Sequence, residues 1–540
     1  MKKIDKRKIF LVIIIILILI VIALFIGKFT FSYLAPDISE DINSKGEVTA
    51  SGDTIIFNNG KALTLSATTD NFTTGGTNLT STTNPTAKLV ASSKTNKADA
   101  TYYVGVYIKN NTYTYSTTAK TPEVLLTIKD EKGSDVTSVD GLTYTTSGGV
   151  SGFDVTDKTG LFNIKTDYPI TTTSSTTGTT HTWTFTLTFV NLSTDQSVNE
   201  NANMNLDVYL QKKAFPSTVA DVCSGGETLA SCVTTLSQKS ISPATNIYHH
   251  DGKLENGIND GSYRFAGASE DVNNYVCFGS VQSPCPTDNL YRIIGVFGDK
   301  VKLIKSDYAT TALLGADGDY SQAYTATGYD SSNYKGNNLA NVAAYNWNKT
   351  DQNTWSLSNL NKTNLNTNFI KNIGADWAAK IAETTWKVGG NTWANIATQP
   401  AKTAYQNEVL QPDPGEYSSN GETQLNAKIG LMYASDYGFA ASPSAWTTNL
   451  YDYEGEAIKN ANWMYMGLYE WTISRYAAGS SGAFGMDGPG YVYTSSVGSR
   501  AFGVRPVFYL SSSVSYVEGD GTQNSPIRIT DWRTVLKKHR

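Results

Sequence analysis

Residues 181–192, HTWTFTLTFVNL, alternate without a break: Trp183, Phe185, Leu187 and Phe189 fall on one side, Thr182, Thr184, Thr186 and Thr188 on the other. A period of two predicts a β-strand with one buried face. The same alternation runs through Leu63/Leu65/Ala67, Val104/Val106/Ile108, Val124/Leu126/Ile128 and Met204/Leu206/Val208/Leu210, and Asn59-Gly60 is a hairpin signal before Leu63. Many strands with polar outer faces predict an all-β antiparallel sandwich over residues 48–212. Its threonines follow no fixed repeat period, so β-propensity on solvated faces explains them better than an ice-binding or glycan-modified surface. TTTSSTTGTT (171–180) is low in complexity and reads as a loop leading into the Trp183 strand.

Outward from this segment, the chain has room for more. At roughly 150 residues per domain, 540 residues predict a multidomain protein. Only 17% of residues are charged, against about 25% in an average soluble chain. The first 28 residues hold six basic and one acidic side chain, and the remainder holds 37 basic and 47 acidic. That acidic remainder argues against nucleic acid as a partner, because phosphate contacts need a basic face.

A basic stub, residues 1–8, precedes IFLVIIIILILIVIALFIG (9–27), which has 19 residues and no charge. A helix of that length is about 28 Å long and matches a bilayer core, and the basic residues before it predict a cytoplasmic amino terminus. The expectation is therefore a single-pass transmembrane anchor at 9–27, a tether at 28–47, and the bulk of the chain outside the cell membrane. Cleavage as a signal peptide is the rival reading, and Tyr33 at the −3 position of the nearest site disfavours it.

The four cysteines form two local pairs, Cys223/Cys232 and Cys277/Cys285. Three pairings are open to four thiols, and an exterior location favours disulfides closing small loops. The gaps do not fit the short spacing of zinc knuckles, so no metal is expected. Residues 213–245 show little periodicity and read as a linker, and a second domain is expected over 246–531, followed by a basic tail at 532–540. Nine of the ten tryptophans lie beyond residue 340. NLYRIIGVFGDKVKLIKSDY (289–308) reads as a hairpin turning at Gly298-Asp299, with Tyr291, Ile293, Val301 and Leu303 inward. Leu357, Leu360, Leu365 and Phe369 sit near helical spacing, though the intervening asparagines oppose it, and Ala375–Trp386 reads as a second helix.

Three later passages are more specific: KIGLMYASDYGFA (428–440), NWMYMGLYEWTISR (462–475) and SRAFGVRPVFYL (499–510). In this order, with Glu470-Trp471-Thr472 before a Gly-rich stretch and Gly503-Val504-Arg505-Pro506-Val507 as a last core strand, they resemble an uncharacterised extracellular domain of Gram-positive bacteria. That domain is similar to the C-type-lectin-like fold shared with formylglycine-generating enzymes, which implies an α+β domain. An anchor, tether and sandwich in series over about residues 9–210 resemble the TasA/camelysin-like surface proteins in layout.

The resemblance to formylglycine-generating enzymes brings no catalysis. Their copper-binding cysteine pair has no counterpart after Cys285, and residues 251–538 contain no histidine for iron or for a Ser–His nucleophile. Carboxylate-only hydrolysis stays arithmetically open. Gln411-Pro412-Asp413 matches a galactose-lectin calcium triplet, but its companion strand is absent and a turn explains QPDPG better. No cofactor is expected.

If a binding surface exists, the resemblance puts it on RYAAGSSGAFGMDGPGYVYTSSVGSR (475–500), read as a long loop with six glycines. Tyr476, Phe484, Tyr491 and Tyr493 would offer apolar rings, and Arg475, Asp487, Arg500 and Glu470 orienting charges. Against this, Glu470 is a near candidate to pair with Arg505 in a core. The combined expectation is a membrane-anchored surface protein whose lectin-like head binds a glycan or protein, with the sandwich as stalk. The alternatives are a fibre-forming assembly protein using sandwich edges and an enzyme acting on wall glycans.

Overall fold

The computed structural model describes residues 46–50, 52–68, 77–241, 245–415 and 422–531. It forms two compact units, Met1–Lys213 and Ala214–Arg540. Antiparallel sheet outweighs helix among the regular elements, and 19% of the structure is helical. This corrects the expected fold class in two respects. The chain as a whole is β-rich with few helices, where a membrane helix, a sandwich and an α+β lectin-like domain were expected, and no helix among the described residues is long and apolar enough to cross a membrane. The single-pass topology, its cytoplasmic amino terminus and the cell-membrane localisation therefore have no support. The stretches expected as stub, anchor and most of the tether, and the tail at 532–540, lie outside the described residues.

In the first unit, Thr184–Phe189 is hydrogen-bonded along both edges, to Leu79–Thr83 and to Val124–Lys129. Trp183, Phe185, Leu187 and Phe189 are no more than 1% exposed, which is what the alternation predicts. The 181–192 run is nevertheless not one strand. Thr179–Thr182 pairs with Thr86–Val90 in a different sheet, and the chain changes sheets at Trp183, whose N–H donates to the Pro85 carbonyl at 3.0 Å. The indole N–H donates to the Tyr102 hydroxyl at 2.9 Å, so the large ring is buried with its one donor satisfied. A third sheet runs Gly160–Thr172, Ala98–Asn111, Asn203–Gln211, Leu63–Ser66. The apolar faces of the three sheets share one core.

The second unit is centred on an antiparallel sheet in the order Ile247–His249, Tyr263–Phe265, Leu290–Phe297, Lys300–Lys305, Val507–Tyr509, Ile429–Gly430. The hairpin turns at Gly298-Asp299 as read, but Leu290–Phe297 is buried on both faces and Lys300–Lys305 along all but its first residue. Residues 214–241 are not a linker. Leu229–Lys239 is a helix started by Thr228, whose hydroxyl accepts from Ser231 N, and it buries Leu229, Cys232, Val233 and Leu236 in the same core. Those four positions follow i, i+3, i+4, i+7, a helical stripe that the linker reading overlooks. Both local cysteine pairs, Cys223–Cys232 and Cys277–Cys285, are disulfide-bonded.

The two expected helices also change. Leu360–Phe369 winds as a π-helix, and its asparagines brace neighbours instead of serving the helix. Asn364 Nδ2 donates to the carbonyls of Leu314 and Asp317, and Asn366 Nδ2 to that of Ile429. Only Ala375–Ala378 of the second is helical, because Trp386 belongs to the strand Thr384–Lys387 paired with Gln424–Ala427.

Candidate ligand-binding surface

The stretch 475–500 is not a loop. Glu470–Tyr476, Gly482–Met486 and Val492–Ser496 form an antiparallel meander, and Gly390–Asn391 adds to its first strand in parallel. Gly485 acts here by its smallness: a Cβ would stand 2.5 Å from the Glu470 carbonyl oxygen. The turn at 487–491 is tied by Asp487, whose Oδ1 accepts from Gly490 N at 2.9 Å and from Tyr491 N at 3.1 Å. Gly490 takes φ +112°, a conformation that L side chains rarely adopt.

This turn delivers Tyr491 and Tyr493 to the surface. There they meet two rings from elsewhere: Trp393, at the start of the helix Trp393–Ala397, and Tyr451, in the 3₁₀ turn Leu450–Glu454. Trp393–Tyr451 centroids are 5.1 Å apart, Tyr451–Tyr491 5.0 Å, Tyr491–Tyr493 6.1 Å and Tyr493–Trp393 5.4 Å. The four rings thus close a circuit in which neighbours stand at 58–84°. Tyr451 is 37% exposed and Tyr493 46% exposed, while Trp393 and Tyr491 are half-buried. Local caps hold both imported rings. Thr392 Oγ1 accepts from Asn395 N, and Asn449 Oδ1 from Asp452 N at 3.0 Å. Asn449 also pairs with Pro400, joining the two capped segments.

Asp487 lies buried behind this circuit. Burial pushes its carboxyl up to about 6, against the hydrogen bonds from Gly490, Tyr491 N and the Tyr491 hydroxyl, which favour the charged form. The same hydrogen bond and charge raise the Tyr491 phenol, after burial, well beyond its ordinary range.

The other sequence candidates sit elsewhere. Glu470 is 1% exposed and accepts from Arg505 Nε at 2.7 Å. Phe484 is fully buried, and Tyr476 packs edge-on against it at 6.0 Å, outside the aromatic circuit. The Arg475 side chain is buried, and its Nη2 donates to the Asp413 carbonyl at 3.1 Å and to the Pro414 carbonyl. Arg500 is exposed and has no ring of the circuit as a partner among the described contacts. The structure therefore joins Asp487, Tyr491 and Tyr493, and disperses the remainder. Trp393 and Tyr451 escape sequence reading because nothing local links them. Their only signals are the capped segments that precede them. A cavity of about 360 Å³ lined by Ser269, Glu270, Asn273, Tyr275, Thr522 and Gln523 lies apart and includes none of these residues.

No family model, curated protein or solved structure matches this chain.

Proposed function

We propose that the second unit binds a carbohydrate on the surface formed by Trp393, Tyr451, Tyr491 and Tyr493, with the β-sandwich serving as its stalk. The observation that carries this reading is the closed circuit of four aromatic rings with two of its members substantially exposed. Indole and phenol rings give flat apolar faces to the C–H side of a sugar, and phenol hydroxyls give polar tips to its hydroxyl rim. They do so at low entropic cost, since each ring has two side-chain torsions and is already packed against its neighbours. Asp487 orients Tyr491 and does not itself face the ligand.

The test is a glycan array probed with the full chain and then with variants. Tyr493→Ala and Tyr451→Ala are expected to weaken each hit by at least about tenfold. Tyr476→Ala and Arg500→Ala, outside the circuit, are expected to leave the hits unchanged. Binding that survives the Tyr451/Tyr493 double substitution, or an array with no hits, would remove the proposal.

A further inference from the structure

Outside the aromatic circuit, the second unit buries an unusual pair. Lys302 Nζ lies 2.5 Å from Asp436 Oδ2, and both side chains are 1% exposed. The lysine comes from the strand Lys300–Lys305 and the aspartate from the helix Ala434–Ala440. Aromatic rings surround the amine: Tyr433 at 4.5 Å, Phe297 at 5.5 Å, Trp386 and Tyr509 at 5.6 Å. Asp436 Oδ1 accepts from Arg264 Nη1 at 3.3 Å, and Oδ2 also accepts from Tyr433 N at 3.0 Å. Arg264 is itself fixed by Asp260 at 2.9 Å and by Ser262 Oγ at 2.9 Å.

A buried ion pair is expensive to desolvate, and this one has an exit. We propose that Lys302 and Asp436 condense into an amide, a covalent cross-link between residues 134 positions apart. A proton passes from the ammonium to the carboxylate along their short contact. The freed amine lone pair attacks Cγ, the Nζ–Cγ bond forms, the Cγ–Oδ2 bond breaks, and Oδ2 departs with two protons as water. Ammonium and carboxylate together become one neutral amide and one water, so no oxidant, reductant or co-reactant is required.

The surroundings supply what the step needs. Arg264 Nη1 sits on Oδ1, the atom that carries negative charge during attack, and stays as donor to the amide carbonyl of the product. Burial among aromatic rings lowers the lysine, which favours the nucleophilic free amine. Arg264 and Lys302 repel, in the same direction. Asp436 itself opposes this until it takes up the proton, and Glu408 is the other carboxyl whose charge would do so. It is fully buried, and burial pushes it up to about 7, so it is partly neutral near physiological pH. Two groups held at 2.5 Å need no diffusive encounter, and burial of both side chains at 1% exposure favours condensation over its reverse.

The experiment is intact mass spectrometry of the denatured full chain, followed by proteolysis and tandem sequencing. The expected mass is about 18 Da below that of the disulfide-bonded sequence in most molecules, one water lost. The loss is expected to map to a branched peptide joining residue 302 to residue 436, and to vanish in Lys302→Met. Full mass in most molecules overturns the proposal. So does a loss that maps elsewhere, such as dehydration at the Asp251-Gly252 step. Since the wild-type measurement decides, the result does not depend on whether Lys302→Met folds.

Discussion

The two units differ in how they bury charge. In the first, Glu123 is fully buried and its oxygens are met by neutral donors: Ser116 N, Gln196 Nε2 at 2.8 Å and Asn199 Nδ2 at 2.8 Å. In the second, two buried acids meet buried cations, Asp436 with Lys302 and Arg264 and Glu470 with Arg505, while Glu408 and Asp487 are met by neutral donors. Arg292 lies over the rings of Tyr275 at 4.3 Å and Trp463 at 4.7 Å with no salt-bridge partner among the described residues. The sandwich is thus stabilised chiefly by apolar faces, whereas the second unit uses charge to fix which segments meet. A paired buried charge adds little net stability, but removing one partner is costly, so the second unit is the more brittle to single substitutions.

The largest expected effect follows directly. Glu470→Ala leaves Arg505 uncompensated at 1% exposure and is expected to cost about 3–5 kcal/mol. Urea denaturation followed by tryptophan fluorescence reads the second unit selectively, because nine of ten tryptophans lie beyond residue 340. The Glu470→Leu/Arg505→Met double substitution is expected to recover most of the loss. If it is as unstable as the single variant, charge is not what distinguishes this core.

The matching truncation in the sandwich is Leu187→Ala, at a fully buried position of a strand paired on both sides. It is expected to cost about 3 kcal/mol through lost burial and the cavity left behind. Far-UV circular dichroism during urea unfolding measures it, and a loss below about 1 kcal/mol would mean this core relaxes freely.

Glu408 gives the two units different pH responses. Its oxygens accept from Ser435 Oγ, Ser435 N, Ser474 Oγ and Asn391 Nδ2, yet burial still raises the carboxyl from 4.5 to about 7. The folded unit therefore holds this proton more tightly than the unfolded chain. Its contribution to stability is fully present below about 4.5 and is lost as pH rises through about 7. Glu408→Gln is expected to remove about 3 kcal/mol of this dependence and to melt higher than the wild type at pH 8. A second-unit transition whose pH dependence is unchanged by the substitution would contradict the assignment.

At the small end, the Thr82 and Thr186 hydroxyls meet at 3.1 Å on the exposed face of the sandwich. Thr186→Ala is expected to cost no more than about 0.5 kcal/mol. A larger loss would show that the polar face is structural.

Legibility divided along the same line. Trp183, Phe185 and Leu187 announce their burial by alternation, because a strand with one wet face must alternate. Leu229, Cys232, Val233 and Leu236 announce a helix equally clearly, once their spacing is counted. The strand change at Trp183 is not legible, since alternation specifies faces and not partners. The glycines of 475–500 are ambiguous for a physical reason: a missing side chain permits both a free loop and close strand approach. At Gly485 the Glu470 carbonyl decides for the strand.

By itself, the sequence determined the β-rich character of the sandwich, the close local spacing of the cysteines, and the presence of Tyr491 and Tyr493 on a Gly-rich segment. These are properties of neighbours along the chain, fixed by side-chain period and local loop closure. Only the tertiary structure decided that Trp393 and Tyr451 complete an aromatic circuit with them, that Glu470 and Arg475 are interior, and that Lys302 faces Asp436. Such meetings bring together segments tens to over a hundred residues apart, and the packing that selects them has no local periodicity to record it.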